Sequence, residues 1–340
     1  MATIHHLHAK AHEAESAPVD RLLGLLEDEM ASVDHTIIDQ MQSPVALIPQ
    51  LAGHLVASGG KRIRPLLTLA GARLCEYTGK RHIGLAACIE FIHTATLLHD
   101  DVIDASELRR GSASANSIWG NQASVLVGDF LFSRAFQLMV MDGSMRVLKL
   151  LSDASATIAE GEVLQLQTVR AVESSESEYM QVIKAKTAAL FKAATKVSAL
   201  VSEMSVEYEQ ALAEYGMNFG IAFQLADDVL DYGADQDDIG KTVGDDFREG
   251  KVTLPVLLAF RRGNDEDRAF WRRTIGRGDI EDHDLARAIA MMHRYDALQD
   301  SLHRARHYAT VAADALNLFP ASLMRDTLIA LARSCVDRCR

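Results

Sequence analysis

Proline is scarce in this 340-residue chain and is missing from its middle. There are six prolines, and none lies between Pro65 and Pro255. Proline breaks helix interiors because it lacks an amide hydrogen and its ring clashes with the preceding turn. The long gap therefore permits long uninterrupted helices. Strand signals such as strict alternation and Asn-Gly hairpins are also weak.

The chain also lacks an excess of positive charge. Its formal net charge is −12, which argues against wrapping nucleic acid. The four cysteines have no histidine partners at zinc spacing, so reduced thiols are expected. No apolar run approaches the ~20 residues of a transmembrane helix, and the N-terminus has no signal-peptide pattern. We therefore expect a cytoplasmic protein with no transmembrane segment and at most a loose membrane association.

Apolar residues recur at helical spacing along most of the chain. The pattern begins at Val19 and is still clear in the tail from about Asp282 to Arg340. Glycine-rich and polar breaks separate the periodic segments, and no interdomain linker is recognisable. The sequence thus predicts a single all-α domain of ten or more mostly antiparallel helices, spanning residues 19–340. Residues 1–18, with four histidines, are expected to form a flexible tail.

Two aspartate clusters interrupt the apolar pattern. Both have the spacing D-D-x-x-D, and their members are Asp100, Asp101, Asp104, Asp227, Asp228 and Asp231. On a helix, the three side chains of such a cluster project within an arc of about 100°. Carboxylates among apolar residues need a positive partner, and Mg²⁺ is commonly held by one or two carboxylates plus substrate phosphates. The clusters therefore predict several Mg²⁺ ions with a polyphosphate between them. An acidic solvent-exposed face is the alternative for a single cluster.

Basic residues lie near both clusters, as a diphosphate ligand would require. Arg109 and Arg110 follow the first cluster, while Lys241 and Lys251 flank the segment after the second. The stretch GGKRIRP, residues 59–65, concentrates three cations beside a glycine turn whose amides can also face an anion. Arginine binds phosphate oxygens bidentately, whereas lysine acts as a point charge. Taken singly, each of these residues is what an ordinary surface cation would look like, so the prediction depends on the group.

Several motifs in a fixed order resemble the trans-prenyl diphosphate synthases of the long-chain, octaprenyl to decaprenyl, branch. They are GGKRIRP, IHTATLLHDDVIDASELRRG, GDFLFSRAF, KTAALF, FQLADDVLDY and GKTVGDDFREGKVTLP. The resemblance runs from about Val19 to the C-terminus, and Ile239 and Phe247 stand where leucine is common. It implies an isoprenoid synthase fold with a central cavity, and a homodimer.

The resemblance also implies roles for individual residues. The six aspartates would bind Mg²⁺, three ions per active site, from opposite walls. Isopentenyl diphosphate would be held by Lys61, Arg64, His93 and Arg110. The allylic diphosphate, from farnesyl or geranyl diphosphate, would be held by Arg109, Lys186, Thr187, Gln224, Lys241 and Lys251. Lys186 and Lys241 would act with the aspartates in catalysis.

The implied reaction is a head-to-tail condensation of isopentenyl diphosphate onto the allylic diphosphate, with quinone side chains as the usual destination of the product. Ala95 and Thr96 lie one turn before Asp100 and are small. Short-chain members of this family tend to carry a bulky aromatic residue there, so an open cavity floor and a long product are expected. Small residues at these two positions are also expected where two helices simply pack closely together.

Four other functions would need some of the same motifs or residues. A shorter-chain geranylgeranyl or farnesyl diphosphate synthase would use the same motifs. A terpene cyclase or squalene-type synthase would lack GGKRIRP and the second D-D-x-x-D. A non-catalytic partner subunit would generally have lost aspartates, and all six are present. A metal-dependent hydrolase built on helices would not need the basic motifs.

Overall fold

The computed structural model describes residues 18–57, 60–109, 112–233 and 244–337. Residues 1–17 of the predicted tail lie outside this range, as do Arg110 and Lys241. For Arg109 only the backbone is described. The predicted all-α class is confirmed.

Helices account for nearly all of the described structure, and one hairpin of two short strands, each of two residues, is present beside them. The α-helices are α1 (18–25), α2 (Glu27–Gln40), α3 (Leu47–Ala57), α4 (Ile63–Leu74), α5 (Arg81–Ile103), α6 (Ala115–Trp119), α7 (Asn121–Asp142), α8 (Met145–Thr168), α9 (Glu176–Ile183), α10 (Ala189–Val201), α11 (Val206–Gly233), α12 (Asp245–Glu249), α13 (Leu254–Arg262), α14 (Asp265–Trp271), α15 (Asp284–Arg294), α16 (Ala297–Ala315) and α17 (Leu323–Asp337). Short π-helical segments span Lys184–Ala188 and Arg272–Gly276, and a 3₁₀ turn spans Leu316–Leu318. Strands β1 (Leu108–Arg109) and β2 (Ser112–Ala113) pair antiparallel.

Helix α11 lies at the centre of the bundle and packs against α10 and α16, while α5 packs against α4 and α7. Close approach of α11 to its neighbours depends on glycine. A Cβ on Gly220 would lie 2.6 Å from the Cα of Ala188, so only glycine fits there without a shift of backbone. Burial of large side chains such as Tyr215, Phe219 and Phe191 fixes the same contact. The second aspartate cluster, at the C-terminal end of α11, is thereby held on a rigid helix.

Local sequence signals account for several helix ends near the site. Ser175 and Glu178 form a reciprocal capping box at the start of α9, which satisfies two amides that have no helical partner. Pro255 lies in the first turn of α13, where its missing N–H is not needed. Between α9 and α10 the chain takes a π-helical turn, Lys184–Ala188. Such turns occur often at functional sites because they re-aim side chains.

One helix in the described part of the chain, α7, is long and apolar enough to cross a membrane by length and composition alone. A core helix of a soluble protein passes the same test, so this single helix is weak support for a membrane span. One of its faces packs on α5, and the opposite face exposes apolar side chains.

Candidate functional site

A cavity of about 560 Å³ opens between α5, α8, α9 and the C-terminal half of α11. Both aspartate clusters reach it. Asp100 and Asp104 line one wall, and Asp227, Asp228 and Asp231 line the other. Leu97, Val182, Ile183, Phe223 and Leu230 make up much of its apolar lining. The cavity therefore combines carboxylate oxygens on two walls with an apolar surface.

The first cluster lies where α5 ends. Asp100 is in the last turn of α5, and Asp104 is its C-cap, with its amide hydrogen-bonded to the carbonyl of Asp100 at 2.8 Å. Asp101 points elsewhere: its side chain is not in the cavity lining, and the residue is 3% exposed. Its carbonyl accepts hydrogen bonds from the Ser106 amide and the Asn116 side chain, which fold the following loop back onto the helix.

The second cluster is held by hydrogen bonds on two of its three members. Asp231 accepts the backbone amides of Asp245 and Asp246 at 3.2 and 3.1 Å, so it also caps the start of α12. Asp228 is 3% exposed and accepts from Tyr179 and Gln224. Burial raises the pKa of Asp228 to about 7, against the lowering effect of these hydrogen bonds. Asp227 lines the cavity.

Lys186 lies on the π-helical turn and points into the cavity. Its ammonium donates to Asp100 at 2.8 Å and forms an ion pair with Glu162 at 2.7 Å. Burial lowers the pKa of Lys186, but the two carboxylates outweigh burial and raise it. The lysine is therefore a fixed positive charge directly beside the first cluster.

Lys251 also contacts the first cluster, through Asp104. Its ammonium lies 3.1 Å from Asp104, 2.5 Å from Glu249 and 4.0 Å from Asp246. Burial lowers its pKa, but these acids together raise it above its ordinary value. Burial, with the nearby Asp231 charge, raises the pKa of Asp246 well above its ordinary value. Lys251 thus joins the segment after the second cluster to the end of the first.

Arg64 and His93 form a separate cationic corner of the cavity. The Arg64 guanidinium lies 3.0 Å from Nε2 of His93 and 4.1 Å from the centre of the Phe191 ring. The aromatic face attracts the cation, and the imidazole fixes its direction. Lys61, which the sequence groups with them, is exposed and does not line the cavity. Thr187 and Gln224 are hydrogen-bonded to each other at 2.8 Å beside Asp228.

Sequence reasoning missed several polar residues of the cavity. They include Glu162, Gln165, Tyr179, Asp246 and Glu249. Glu162 and Gln165 are three residues apart on α8 and therefore lie on the same face of the helix. This spacing is the sequence feature that could have indicated a shared polar site. Gly161 lets α8 come this close: a Cβ there would lie 2.8 Å from the amide nitrogen of Lys186.

Glu162→Gln should remove one of the two carboxylate partners of Lys186 and leave the other, Asp100. Burial raises the pKa of Glu162, whereas Lys186 lowers it. A hydrogen bond to a charged group is worth about 1.5–3 kcal/mol, so we expect the KM for an allylic diphosphate to rise by roughly tenfold or more. Steady-state kinetics would measure this. Glu160→Gln, on the exposed face of the same helix, is the matched control, and an equal effect from both variants would contradict the assignment.

Hard divalent cations fit the donor set of this cavity. Its anionic ligands are all carboxylate oxygens, which Mg²⁺ and Ca²⁺ prefer. Among the described residues, no three His, Cys, Asp or Glu side chains converge closely enough to form a cage by themselves. A Mg²⁺ site does not need such a cage, since it takes one or two carboxylates and completes its shell with water and substrate phosphates.

An all-α bundle with carboxylates on two walls of one cavity, and lysines beside them, agrees with the isoprenoid synthase fold that the motif resemblance implies. The polyprenyl synthetase family model matches residues 45–292. Octaprenyl diphosphate synthase of Escherichia coli (strain K12) is 46% identical over 322 residues, which cover 95% of this chain and 99% of the relative.

Two solved structures agree with this assignment. A polyprenyl synthase from Caulobacter crescentus CB15, complexed with calcium and isoprenyl diphosphate, has 51% identity and a TM-score of 0.92. The match covers 95% of this chain and 98% of that one. A decaprenyl diphosphate synthase from Rhodobacter capsulatus has 49% identity and a TM-score of 0.91, covering 95% and 99%. The chain belongs to the polyprenyl synthetase family and is a prenyltransferase; the resemblance read from its motifs is confirmed.

Proposed function

We propose that this enzyme is a long-chain trans-prenyl diphosphate synthase, which adds isopentenyl diphosphate units to a farnesyl or geranyl diphosphate primer. One observation carries the proposal. Asp100 and Asp104 face Asp227 and Asp231 across a single cavity, and Lys186 and Lys251 lie between them. This arrangement suits a diphosphate bound between two carboxylate walls and neutralised from several sides.

The cavity divides into two cationic corners that suit two diphosphates. Arg64 and His93 are assigned to isopentenyl diphosphate. Lys186, Thr187, Gln224 and Lys251 are assigned to the allylic diphosphate. Diphosphate binding also remains a prediction for Lys61, Arg109, Arg110 and Lys241. Lys186 and Lys251 are paired with carboxylates in this structure, so they would be exchanged from aspartate to diphosphate oxygens as substrate binds.

The aspartates would hold Mg²⁺, with Asp100, Asp104, Asp227 and Asp231 best placed because they line the cavity and are less buried than Asp101 and Asp228. Asp101 and Asp228, both 3% exposed, are less well placed. Three ions per site stays a prediction. Bound Mg²⁺ would supply positive charge that stabilises the departing diphosphate.

In the proposed reaction the allylic carbon–oxygen bond breaks and diphosphate leaves with the electron pair. The double bond of isopentenyl diphosphate attacks the allylic cation, and a new carbon–carbon bond forms. A proton is then lost from the adduct, and the departing diphosphate is its proposed acceptor. Leu97, Ile183 and Phe223 line the cavity and would exclude the water that otherwise quenches the cation.

Incubation of the purified protein with Mg²⁺, labelled isopentenyl diphosphate and farnesyl diphosphate tests the proposal. Chromatography of the dephosphorylated products should give one dominant octaprenyl to decaprenyl species. A product of only four units, one addition to the primer, would make it a short-chain synthase. No elongation, together with Mg²⁺-dependent diphosphate binding, would instead favour a non-catalytic partner subunit. Supply of quinone side chains and a cytoplasmic location stay predictions.

We also propose that the enzyme is a homodimer joined through α7. Apolar residues exposed on this helix include Leu126 at 67%, Val140 at 66% and Phe136 at 44%. These three project within an arc of about 80°, which they share with the exposed residues Asp129 and Ser133. Exposed apolar side chains grouped on one helix face mark an interaction site. A second copy could bury this surface.

Charging that face should separate the subunits. The double variant Leu126→Glu/Val140→Glu is expected to run as a monomer in size-exclusion chromatography with light scattering, at concentrations where the parent runs as a dimer, because two carboxylates would be buried without partners. Ile38→Glu alters an apolar residue that is 48% exposed on α2 and should leave the dimer intact. A dimeric double variant would place the interface elsewhere.

A further inference from the structure

A buried tyrosine outside the sequence motifs contacts the second aspartate cluster. The Tyr179 hydroxyl donates a hydrogen bond to Oδ2 of Asp228, and Nε2 of Gln224 donates to Oδ1 at 2.7 Å. Tyr179 is 6% exposed and Asp228 is 3% exposed. Both carboxylate oxygens of Asp228 therefore have a protein donor, and the residue is almost closed to solvent.

The hydrogen bonds continue beyond Asp228. Oγ1 of Thr187 donates to Oε1 of Gln224 at 2.8 Å, which orients the amide so that its nitrogen faces Asp228. Three elements thereby meet at one carboxylate: α9 through Tyr179, the π-helical turn through Thr187, and α11 through Gln224. The same π-helical turn carries Lys186, which contacts the first cluster.

In the sequence, Asp228 lies between the other two cavity-lining members of its cluster, Asp227 and Asp231, within about one turn of α11. A side chain held at both oxygens fixes the rotation of that turn and hence the direction of its neighbours. Outer contacts of this kind commonly change metal affinity by about 10- to 100-fold when they are removed.

We propose that Tyr179 is a positioning residue: by fixing Asp228, it aims Asp227 and Asp231 at the divalent ions and the diphosphate. The inference rests on the proposed function for the identity of the ligand. We do not assign Tyr179 a contact with substrate. Its hydroxyl acts through Asp228, and its ring packs at the α9 side of the cavity.

Tyr179→Phe removes the hydroxyl and keeps the ring. Mg²⁺ would be titrated into the full-length protein in the presence of inorganic pyrophosphate, with isothermal calorimetry as the readout. We expect roughly tenfold weaker Mg²⁺–pyrophosphate binding. Unchanged binding would overturn the proposal.

Tyr215→Phe is the matched control for a merely structural tyrosine. Tyr215 lies on α11, is fully buried, and donates to the carbonyl of Leu328 at 2.9 Å. Its loss should lower the melting temperature and leave Mg²⁺–pyrophosphate binding as in the parent. If both variants lose stability and binding to the same extent, Tyr179 is structural and the proposal fails.

A double-mutant cycle with Asp228→Asn tests whether Tyr179 acts through Asp228. Residues that act through one another give non-additive effects. In the Asp228→Asn background, Tyr179→Phe should weaken binding by less than twofold; a further tenfold loss would contradict the proposal. If Tyr179→Phe fails to fold, Asp228→Asn still tests the proposal, because unchanged binding in that variant would overturn it. Binding without elongation by the parent would refute the proposed function and leave this comparison valid.

Discussion

Asp100→Asn should lower the rate of chain elongation by roughly two to three orders of magnitude, which is the loss found when one charge-stabilising group is removed from an active site. The substitution keeps size and removes charge. It deprives the proposed Mg²⁺ site of an anionic ligand and Lys186 of its 2.8 Å partner. Because both effects fall on stabilisation of the leaving diphosphate, kcat should fall more than the KM for either substrate rises.

Single-turnover assays with the labelled allylic substrate at saturating Mg²⁺ would measure this effect without interference from product release. Asp227→Asn, on the opposite wall, should give a loss of the same order. Asp153→Asn is the matched control, since Asp153 is a solvent-exposed residue of α8 paired with Lys149. Full activity of Asp100→Asn would show that the first cluster does not hold the ion that assists ionisation.

The helical fold could be predicted from the sequence because its signals are local. Apolar periodicity, the proline gap and the caps each act within a few residues, and most helices follow from them. Local geometry also indicated that the cluster members project within one arc. It did not reveal that Asp101 lies outside the cavity lining, because the part of that arc that faces the cavity depends on how α5 packs against its neighbours.

The polar contacts across the cavity could not be predicted from local pattern. Lys251 and Asp104 are 147 residues apart and meet only because α5 and α12 approach the same opening. Glu162 looked like one of many acids on an amphipathic helix until Lys186 was placed beside it. Lys186 and Thr187 in turn depend on a π-helical turn, for which the sequence AKTAALF carries no recognisable signal. Long-range pairs of this kind are set by packing, which sequence periodicity does not encode.

Product length is predicted to depend on Thr96. Thr96 lines the cavity one turn before Asp100, and its hydroxyl donates to the His93 carbonyl at 2.7 Å. Thr96→Tyr would project an aromatic ring into the cavity. The growing chain should then meet a barrier soon after the first additions, and the dominant product should shorten from an octaprenyl to decaprenyl species toward one of four or five units. Chromatography of dephosphorylated products measures this directly.

Ala95→Phe separates a barrier in the cavity from a disturbance of the core. Ala95 is fully buried and does not line the cavity, so a phenylalanine must displace its neighbours, at a cost of about 1–3 kcal/mol in stability. We expect this variant to have a lower melting temperature, which Thr96→Tyr should not show, and to shorten the product less than Thr96→Tyr does. Thr96→Ser keeps the hydroxyl and adds no bulk, so it should retain the parent product. A full-length product from Thr96→Tyr would mean that another surface limits chain growth, since a ring at this position could not then stand in the path of the chain.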